Sequence, residues 1–431
     1  MKILHYSLGF PPERSGGLIR YTMDLMNEQV KQGDEVYYLY PGHINVLRNR
    51  AYIKADRKNS KINFTPYALV NSLPLPLFGG IKNPNDFMRS VDAKLYLNFL
   101  EKLQPDVIHV HTLMGIHKEF FECAQSLGIR IVFTSHDYFG LAPEPNFYYQ
   151  GRNYDNTNTT KQWMEIGQTA MPTWKLRLFQ TSLYPFIRKI AHKIKPQKLT
   201  GLDKTQKNVN ENINETINKN SFELLQQYYK SIFSMISFFH FNSTLALSIY
   251  QNNIQIGDNY ACISITNSSV KKNDFRIPKK ATKIAYIGPY KTYKGFFEFL
   301  KLPTLLQDKN FEFHVYGSDV VVDLPNNIIN HGRFNNNELD NIYQNIDFVI
   351  VPSLWKETFG FITIEALSYG KYVLVSQNVG AKDLIDPQFR FDTVKDIRAQ
   401  IDNLDKYKVR EQKSMDTHYS EIKNIYLKFL P

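Results

Sequence analysis

The sequence predicts an α/β protein made of two domains with mainly parallel sheets. Short runs of β-branched and aromatic residues alternate with longer segments of helical period, which is typical of βα units. By length alone the 431 residues would permit about three domains, but large α/β domains take up much of such a length. The hydrophobic content of 43% is ample for two cores.

Predicted strands occur in two sets. The first half contains KILHYS, EVYYLY, INFTPY, DVIHVH, RIVFTS, FFHFNS and CISIT. The second half contains KIAYIG, FEFHVYG, NIINHG, DFVIVPS and YVLVSQ. Between the sets, VKKNDFRIPKKA lacks apolar periodicity and contains Lys, Asn and Pro, so we expect a linker there. The predicted N-terminal domain therefore covers residues 1–270.

One segment of the first half departs from this rhythm. Residues 201–221, GLDKTQKNVNENINETINKNS, are rich in Asn and Lys and contain few apolar side chains. Such a composition buries too little apolar surface to offset the conformational entropy of ordering it. We predict a mobile insertion in the N-terminal domain.

Composition limits the partners and the compartment. The two cysteines, Cys123 and Cys262, lie far apart without metal-ligand spacing, and the first apolar run reads as a strand rather than a signal peptide, so we expect a reducing, cytoplasmic setting. No apolar run reaches the roughly 18 residues that a membrane span needs. The formal charge of +11 fits a polyanionic partner, which the charge alone does not identify as nucleic acid, nucleotide or anionic membrane. Because no nucleic-acid motif accompanies the charge, nucleic-acid binding is not predicted.

The stretch WKETFGFITIEALSYG, residues 355–370, places two glutamates around a predicted helix start. The preceding strand ends in DFVIVPSLW and the helix begins near FITIEALSYG, so Glu357 lies in the loop and Glu365 about one turn inside the helix. Taken singly, Glu357 is more often read as a solvated loop acid and Glu365 as an exposed helix residue.

The start of this helix is a candidate anion site. The peptide groups of Thr358, Phe359, Gly360 and Phe361 lie where unpaired N–H groups and the helix dipole favour negative charge. Gly360 allows that backbone to approach a ligand closely. Two carboxylates beside a phosphate would repel it, so we expect them to accept hydrogen bonds from hydroxyl groups. A sugar nucleotide supplies both the diphosphate and the hydroxyls.

The run PSLWKETFGFITIEALSYGKYVLVSQNVGAKDLI resembles the donor-binding signature of glycosyltransferase family 4, a group of retaining enzymes with the GT-B fold. The positions that carry the resemblance are Pro352, Ser353, Trp355, Glu357, Phe359, Gly360, Glu365, Ala366 and Gly370. The resemblance implies two Rossmann-like domains that face a central cleft. The segment MDTHYSEIKNIYLKFLP resembles the last GT-B helix, which crosses back to the N-terminal domain. This assigns residues 271–412 to the donor-binding domain and residues 413–431 to the crossover helix.

Two N-terminal segments resemble the same family. In MKILHYSLGFPPERSGGLIRY, Gly16 and Gly17 match a glycine pair that lets the backbone approach the diphosphate, although glycine pairs usually only make turns. In VFTSHDYFGLAP, His136 matches the histidine that the family presents to the donor sugar, although a lone histidine more often satisfies a local backbone bond. On the strand DVIHVH, we expect His109 to pack in the core and His111 to point toward the cleft.

The segment KIAYIGPYKTYKGFFEFL resembles the start of the donor domain, where the family has Gly-Arg and then Lys-Gly. Lys294 and Gly295 match the second pair, but Pro289 stands at the arginine position. Arginine offers phosphate a bidentate fork, and one charge-assisted hydrogen bond contributes about 1.5 to 3 kcal/mol. We hypothesise that Lys291 replaces the missing arginine. Without the resemblance, Lys294 would read as a solvated surface lysine.

The resemblance implies retaining transfer of a sugar from a nucleotide diphosphate to an acceptor hydroxyl, in bacterial surface polysaccharide assembly. It assigns catalytic roles to His136, Lys294 and Glu357. It assigns donor binding to Gly16, Gly17, Lys291, Lys294, Glu357, Thr358, Phe359, Gly360, Phe361 and Glu365. No metal ion and no cofactor beyond the co-substrate is required. Two alternatives stay open, a sugar-nucleotide-binding protein without turnover and a sugar-nucleotide epimerase of the same fold.

Residues 174–199, WKLRLFQTSLYPFIRKIAHKIKPQKL, mix aromatic and basic side chains. From Phe186 onward the apolar residues share one helical face and the basic residues fall largely elsewhere, as in helices that lie on an anionic membrane surface. An ordinary amphipathic helix that packs on the core explains the pattern equally well. The membrane interpretation favours a glycan or polyprenyl-diphosphate-linked acceptor and a peripheral position on the inner face of the cell membrane.

Overall fold

Two α/β domains make up the chain, as the sequence predicts. The structure is a computed structural model. It describes residues 1–48, 50–59, 62–76, 79–182, 215–270, 281–320, 322–408 and 411–428. Within those ranges each domain is built on a mainly parallel sheet. The predicted fold class is therefore confirmed.

The N-terminal domain contains ten described strands. In chain order they are β1 Lys2–Tyr6, β2 Glu35–Pro41, β3 Tyr52–Ala55, β4 Thr65–Val70, β5 Val107–Val110, β6 Arg130–Thr134, β7 Tyr148–Tyr149, β8 Arg152–Asn153, β9 Phe238–Phe241 and β10 Tyr260–Cys262. Among the described residues, eight of them form one sheet in the order β10-β9-β6-β5-β1-β2-β4-β3. Within these eight described strands, β3 at the edge is the one that runs antiparallel to its neighbour. Strands β7 and β8 form a separate hairpin.

The C-terminal domain contains six described strands, all paired in parallel. They are β11 Lys283–Ile287, β12 Glu312–Tyr316, β13 Ile328–Asn330, β14 Phe348–Val351, β15 Tyr372–Ser376 and β16 Arg390–Phe391. Their order in the sheet is β13-β12-β11-β14-β15-β16. Every residue of β15 is buried, because helices cover both faces of a parallel sheet.

Helices connect the strands. In the first half they are Gly17–Lys31, Lys94–Leu103, Lys118–Ser126, Thr160–Thr169, Thr173–Phe179, Glu215–Phe233 and Thr244–Asn253. In the second half they are Phe296–Phe299, Leu302–Leu305, Leu339–Gln344, Phe361–Ser368, Ile397–Ile401 and Met415–Leu427. Across the described residues, no helix combines the length and the apolar character needed to cross a membrane.

The last helix, Met415–Leu427, packs on the N-terminal domain. Its buried residues recur at helical spacing, with His418, Tyr419, Ile422 and Tyr426 on the covered face. The Tyr419 hydroxyl donates to Asp34 Oδ2 at 2.8 Å. The C-terminal helix thus crosses back from the C-terminal domain, as the predicted fold class requires.

Several sequence predictions fall partly outside the described residues. Of the predicted mobile insertion, residues 201–214 are not described, and the remainder begins helix Glu215–Phe233. The predicted linker lies almost wholly in residues 271–280, which are not described, and the same applies to residues 183–199 of the basic, aromatic segment. The predicted strand CISIT is mostly wrong, because β10 ends at Cys262.

Candidate functional site

The predicted site residues follow the carboxyl ends of parallel strands in both sheets. The Gly-Gly loop follows β1, His136 follows β6, Lys294 follows β11 and Glu357 follows β14. In open parallel sheets this is the edge at which ligands bind. The two edges face each other along one seam, where the contacts described below join the domains.

Lys294 and Glu357 form an ion pair at this seam. The Lys294 ammonium donates to Glu357 Oε1 at 2.7 Å, and the two side chains are 24% and 17% exposed. The same ammonium lies 5.0 Å from the centre of the Trp355 ring, a distance suited to a cation–π contact. The carboxylate and the ring together hold the lysine charge at the edge of the C-terminal domain that faces the seam.

Gly295 fixes the loop that carries Lys294. Its φ is +77°, and a Cβ built on it would lie 1.7 Å from the Pro352 carbonyl oxygen. Only glycine allows the loop after β11 to lie directly against the end of β14. This close approach brings Lys294 beside Glu357.

Helix Phe361–Ser368 begins at Gly360, whose φ of +98° turns the chain sharply into the helix. Among the described residues, no group accepts a hydrogen bond from the amides of Phe361 and Ile362. The hydroxyl of Thr363, in the same first turn, is buried and also without a hydrogen-bond partner. Three unsatisfied donors at a helix N-terminus suit an anionic ligand.

Glu365 is buried inside this helix rather than exposed. Its Oε1 accepts hydrogen bonds from Arg20 Nη1 at 2.6 Å, Asn267 Nδ2 at 3.1 Å and Ser269 Oγ at 3.1 Å. Burial raises the pKa of this carboxyl, and the Arg20 charge opposes that rise. In the described part of the chain Oε2 has no partner, so one oxygen of Glu365 joins the domains and the other is open to a hydroxyl group.

His136 lies on the N-terminal side of the seam. Its carbonyl accepts a hydrogen bond from the Thr358 hydroxyl at 2.9 Å, and the Thr358 carbonyl accepts one from Ser243 Oγ at 2.6 Å. The His136 ring lies 4.7 Å from the Tyr21 ring, measured between centroids. Burial lowers the pKa of His136 well below its usual value, so the imidazole is neutral at neutral pH.

The Gly-Gly loop also reaches the seam. Gly16 has a φ of +121° and caps helix Gly17–Lys31. A Cβ on Gly17 would lie 2.7 Å from Phe361 Cδ2, so any side chain there would clash with that ring. The pair brings the N-terminal backbone against the start of helix Phe361–Ser368.

The structure thus brings nearly all predicted site residues together at one seam. Lys291 differs from the others in the surroundings of its side chain. The Lys291 side chain is exposed, and no partner for its ammonium exists among the described residues. His109 is buried as expected, but His111 is wholly buried too and does not line an open cleft.

Sequence reasoning missed three contributions to the seam. Arg20 pairs with Glu365, and Thr363 supplies an unpartnered hydroxyl to the helix start. Lys356 forms an ion pair of 2.7 Å with buried Asp155 in the other domain. Periodicity marks Arg20 only as a polar position of an amphipathic helix, so no signal in the sequence identifies its partner.

Two family descriptions match the chain, and they cover different halves. Residues 15–168 match the family described as Glycosyltransferase Family 4. Residues 267–417 match the family described as Glycosyl transferases group 1. A Klebsiella pneumoniae protein described as an uncharacterized 42.6 kDa protein in the cps region is 24% identical over 394 residues, which cover 89% of this chain and 87% of that protein.

Solved structures similar to the chain cover nearly all of it. The sucrose-phosphate synthase of Thermosynechococcus elongatus aligns with a TM-score of 0.53 and 11% identity, covering 99% of this chain and 96% of that one. Anabaena Alr3699/HepE, solved in complex with UDP and glucose, aligns with a TM-score of 0.51 and 13% identity, covering 99% and 98%. At these identities the likeness shows the shared fold.

Proposed function

Because the chain belongs to the family 4-type glycosyltransferases of the GT-B fold, we propose that it moves a sugar from a nucleotide diphosphate to an acceptor hydroxyl with retention of configuration. The proposal depends on one observation: the Lys294–Glu357 ion pair lies at the same seam as the amides after Gly360, which have no hydrogen-bond acceptor among the described residues. The relative from the cps region supports a role in surface polysaccharide assembly.

The donor diphosphate lies at the start of helix Phe361–Ser368 in this proposal. The amides of Phe361 and Ile362 and the hydroxyl of Thr363 donate hydrogen bonds to phosphate oxygens, and Lys294 supplies a full positive charge. As the bond to the anomeric carbon breaks, negative charge grows on the diphosphate. Groups already aimed at that charge lower the barrier without reorganising, so the mechanism requires no metal ion.

The carboxylates hold the neutral parts of the donor. Glu357, kept in place by Lys294, accepts hydrogen bonds from sugar hydroxyls, while Glu365 Oε2 accepts one from the ribose. Pro289 stands where the family has an arginine, and a proline has no charge with which to bind phosphate. Exposed Lys291 reaches the same phosphates from the following turn. Contacts across the seam exclude water, which limits hydrolysis of the donor.

A donor panel tests the proposal. We expect one nucleotide class among UDP-, GDP- and dTDP-sugars to raise the melting temperature saturably, since a ligand at about 100 times its Kd adds roughly 2.7 kcal/mol of stability. CMP-sugars, which contain a single phosphate, serve as the negative control. Release of the nucleoside diphosphate with acceptor present then distinguishes a transferase from a binding protein without turnover, and analysis of the recovered sugar nucleotide distinguishes it from an epimerase. If no sugar nucleotide stabilises the folded chain, the proposal is wrong.

We propose that the acceptor is a glycan or polyprenyl-diphosphate-linked glycan at the inner face of the cell membrane. Four exposed apolar side chains occur on two adjoining segments, Val46 at 77%, Leu47 at 92%, Trp174 at 61% and Leu178 at 53% exposure. The segments adjoin because the Ile44 amide donates to the Gln180 carbonyl at 3.0 Å. Exposed Arg48, Arg50 and Lys175 give the same surface a positive charge, which favours anionic lipid.

Flotation with anionic vesicles tests this surface. We expect the wild-type chain to float and the double variant L47S/W174S to bind at least tenfold more weakly, because each side chain loses about 1.5 to 3 kcal/mol of apolar burial. Ile329→Ser is the matched control, since Ile329 is also an exposed apolar residue, 48% accessible, on the edge strand of the other domain. A wild-type chain that stays wholly in the soluble fraction, or an equal loss in the control, contradicts the membrane proposal.

A further inference from the structure

A continuous chain of hydrogen-bonded side chains runs from His136 into the core of the N-terminal domain and ends at the Ile263 carbonyl. We call it the histidine relay. Its members in order are His136, His111, His5, Gln29, Tyr426, His109, Thr134 and His240. The successive distances, ending at the carbonyl oxygen, are 3.3, 2.9, 2.7, 3.2, 2.6, 2.6, 2.9 and 2.8 Å.

The five imidazoles of the relay are neutral at neutral pH. Burial lowers the pKa of His5 to about 4 and that of His240 to about 3. Burial, together with the neighbouring imidazoles, lowers the pKa of His109, His111 and His136 well below the usual value. A neutral imidazole has one N–H and one lone pair, so each ring donates on one side and accepts on the other.

The Ile263 carbonyl fixes the direction of every bond in the relay, because a carbonyl oxygen only accepts. His240 therefore donates from Nε2 and accepts at Nδ1 from the Thr134 hydroxyl. Thr134 in turn accepts from His109 Nε2–H, whose Nδ1 accepts from the Tyr426 hydroxyl.

The same direction continues to the seam. Tyr426 accepts from the Gln29 amide nitrogen, and Gln29 Oε1 accepts from His5 Nε2–H. His5 Nδ1 then accepts from His111 Nε2–H, which leaves His111 Nδ1 as an acceptor. His136 must donate to it from Nε2. In the described part of the chain, no group forms a hydrogen bond with the other ring nitrogen, His136 Nδ1.

We infer that the histidine relay is a positioning device that holds His136 as its Nε2–H tautomer, so that the Nδ1 lone pair accepts a hydrogen bond from a hydroxyl of the donor sugar. His5 and Gln29 are positioning residues in this arrangement, since they act on His136 through His111. The hydrogen bond to the sugar hydroxyl rests on the proposed function. The arrangement of protons along the relay does not, because it exists in the protein without a ligand.

A metal site is the competing explanation for part of this cluster. His5, His109 and His111 each offer a nitrogen within 4.8 Å of the others. However, all six ring nitrogens of these residues already take part in relay bonds. A metal ion would replace at least one relay bond for each ring that it bound. The geometry therefore favours hydrogen bonding.

Nitrogen-15 NMR of the histidine-labelled, ligand-free chain tests the inference, because protonated and bare ring nitrogens differ widely in chemical shift. With signals assigned by single histidine replacements, we expect His136, His111 and His5 to carry the proton on Nε2. A cationic His136 at pH 7, a proton on its Nδ1, or a stoichiometric divalent metal in the purified protein overturns the inference. None of these results depends on donor binding.

Two substitutions at one position separate proton direction from packing. His5→Leu removes the acceptor for His111 Nε2–H, so we expect His136 to shift toward its Nδ1–H tautomer and kcat/KM for the donor to fall roughly five- to tenfold, the scale of one hydrogen bond. His5→Asn places an amide oxygen near the position of Nδ1 and should restore both the tautomer and most of the activity. Equal losses in the two variants, without a change in tautomer, overturn the inference. If His5→Leu does not fold, Gln29→Met tests the same point, because it removes the acceptor for His5 Nε2–H.

Discussion

Lys294→Ala is expected to lower the turnover of the chain by about a hundredfold or more at saturating donor. In the proposed mechanism the lysine supplies the full positive charge beside the departing diphosphate, and removal of one preorganised group of this kind typically costs a factor of about 10² to 10³ in kcat. Its ammonium is held 2.7 Å from Glu357 Oε1, so the substitution also frees the carboxylate that positions the sugar. Both effects act on the same step.

Steady-state kinetics with the donor identified by thermal shift measure this loss. Lys301→Ala is the matched control, because Lys301 follows Lys294 closely in the chain, lies on the surface and, within the described residues, forms an ion pair only with half-buried Glu298. Lys291→Ala tests the replacement of the missing arginine, for which we expect a loss of about tenfold. Unchanged affinity and turnover in Lys291→Ala would remove that role. Lys294→Ala with near wild-type turnover would exclude Lys294 from catalysis.

Gly295→Ala is expected to destabilise the C-terminal domain by about 2 to 5 kcal/mol. A Cβ at this position would lie 1.7 Å from the Pro352 carbonyl oxygen, and neither backbone segment can move without disturbing the parallel sheet. The steric conflict costs about 1 to 3 kcal/mol or more, and the left-handed φ of +77° adds about 1 to 2 kcal/mol for any residue with a Cβ. Urea unfolding with correctly folded wild type as reference measures the difference.

Gly33→Ala provides the control for backbone strain alone. Gly33 follows helix Gly17–Lys31 with a φ of +87°, and a Cβ there would meet nothing within 4 Å. We expect a loss of only about 1 to 2 kcal/mol. Equal losses at Gly33 and Gly295 would show that the close approach to Pro352 does not contribute to stability. They would also contradict the explanation of how this loop places Lys294.

Much of the fold could be predicted because buried parallel strands are continuous apolar runs. Strands such as KIAYI and YVLVS are covered on both faces. Their apolar residues therefore do not alternate with polar ones, and the strands are recognisable in the sequence. The missed strands lie at sheet edges, where this signal weakens. Strand β3 has Lys54 at an exposed position, and β16 is only two residues long.

The part of the candidate site on the C-terminal domain was also predictable, since most of its residues lie in the loop after β14 and the helix that follows, and Lys294 lies in the loop after β11. Contacts between the domains were not. Arg20 and Glu365 are 345 positions apart, and nothing in helical periodicity pairs them. The histidine relay was equally hidden, because His5, Gln29 and Tyr426 come from a strand and two distant helices. The alternative in which Glu365 is an exposed helix residue is wrong, because the residue is buried and Arg20, Asn267 and Ser269 all donate hydrogen bonds to one of its oxygens.

The most direct measurement of the central claim is the response of individual amide signals to donor. In a chain labelled with ¹⁵N at isoleucine and phenylalanine, the account predicts that a stabilising sugar nucleotide shifts the Phe361 and Ile362 amides strongly, because their N–H groups bind the diphosphate. Ile131, buried in the distant part of the N-terminal sheet, should not move. A donor that stabilises the chain at saturation while leaving the Phe361 and Ile362 signals in place would contradict the account.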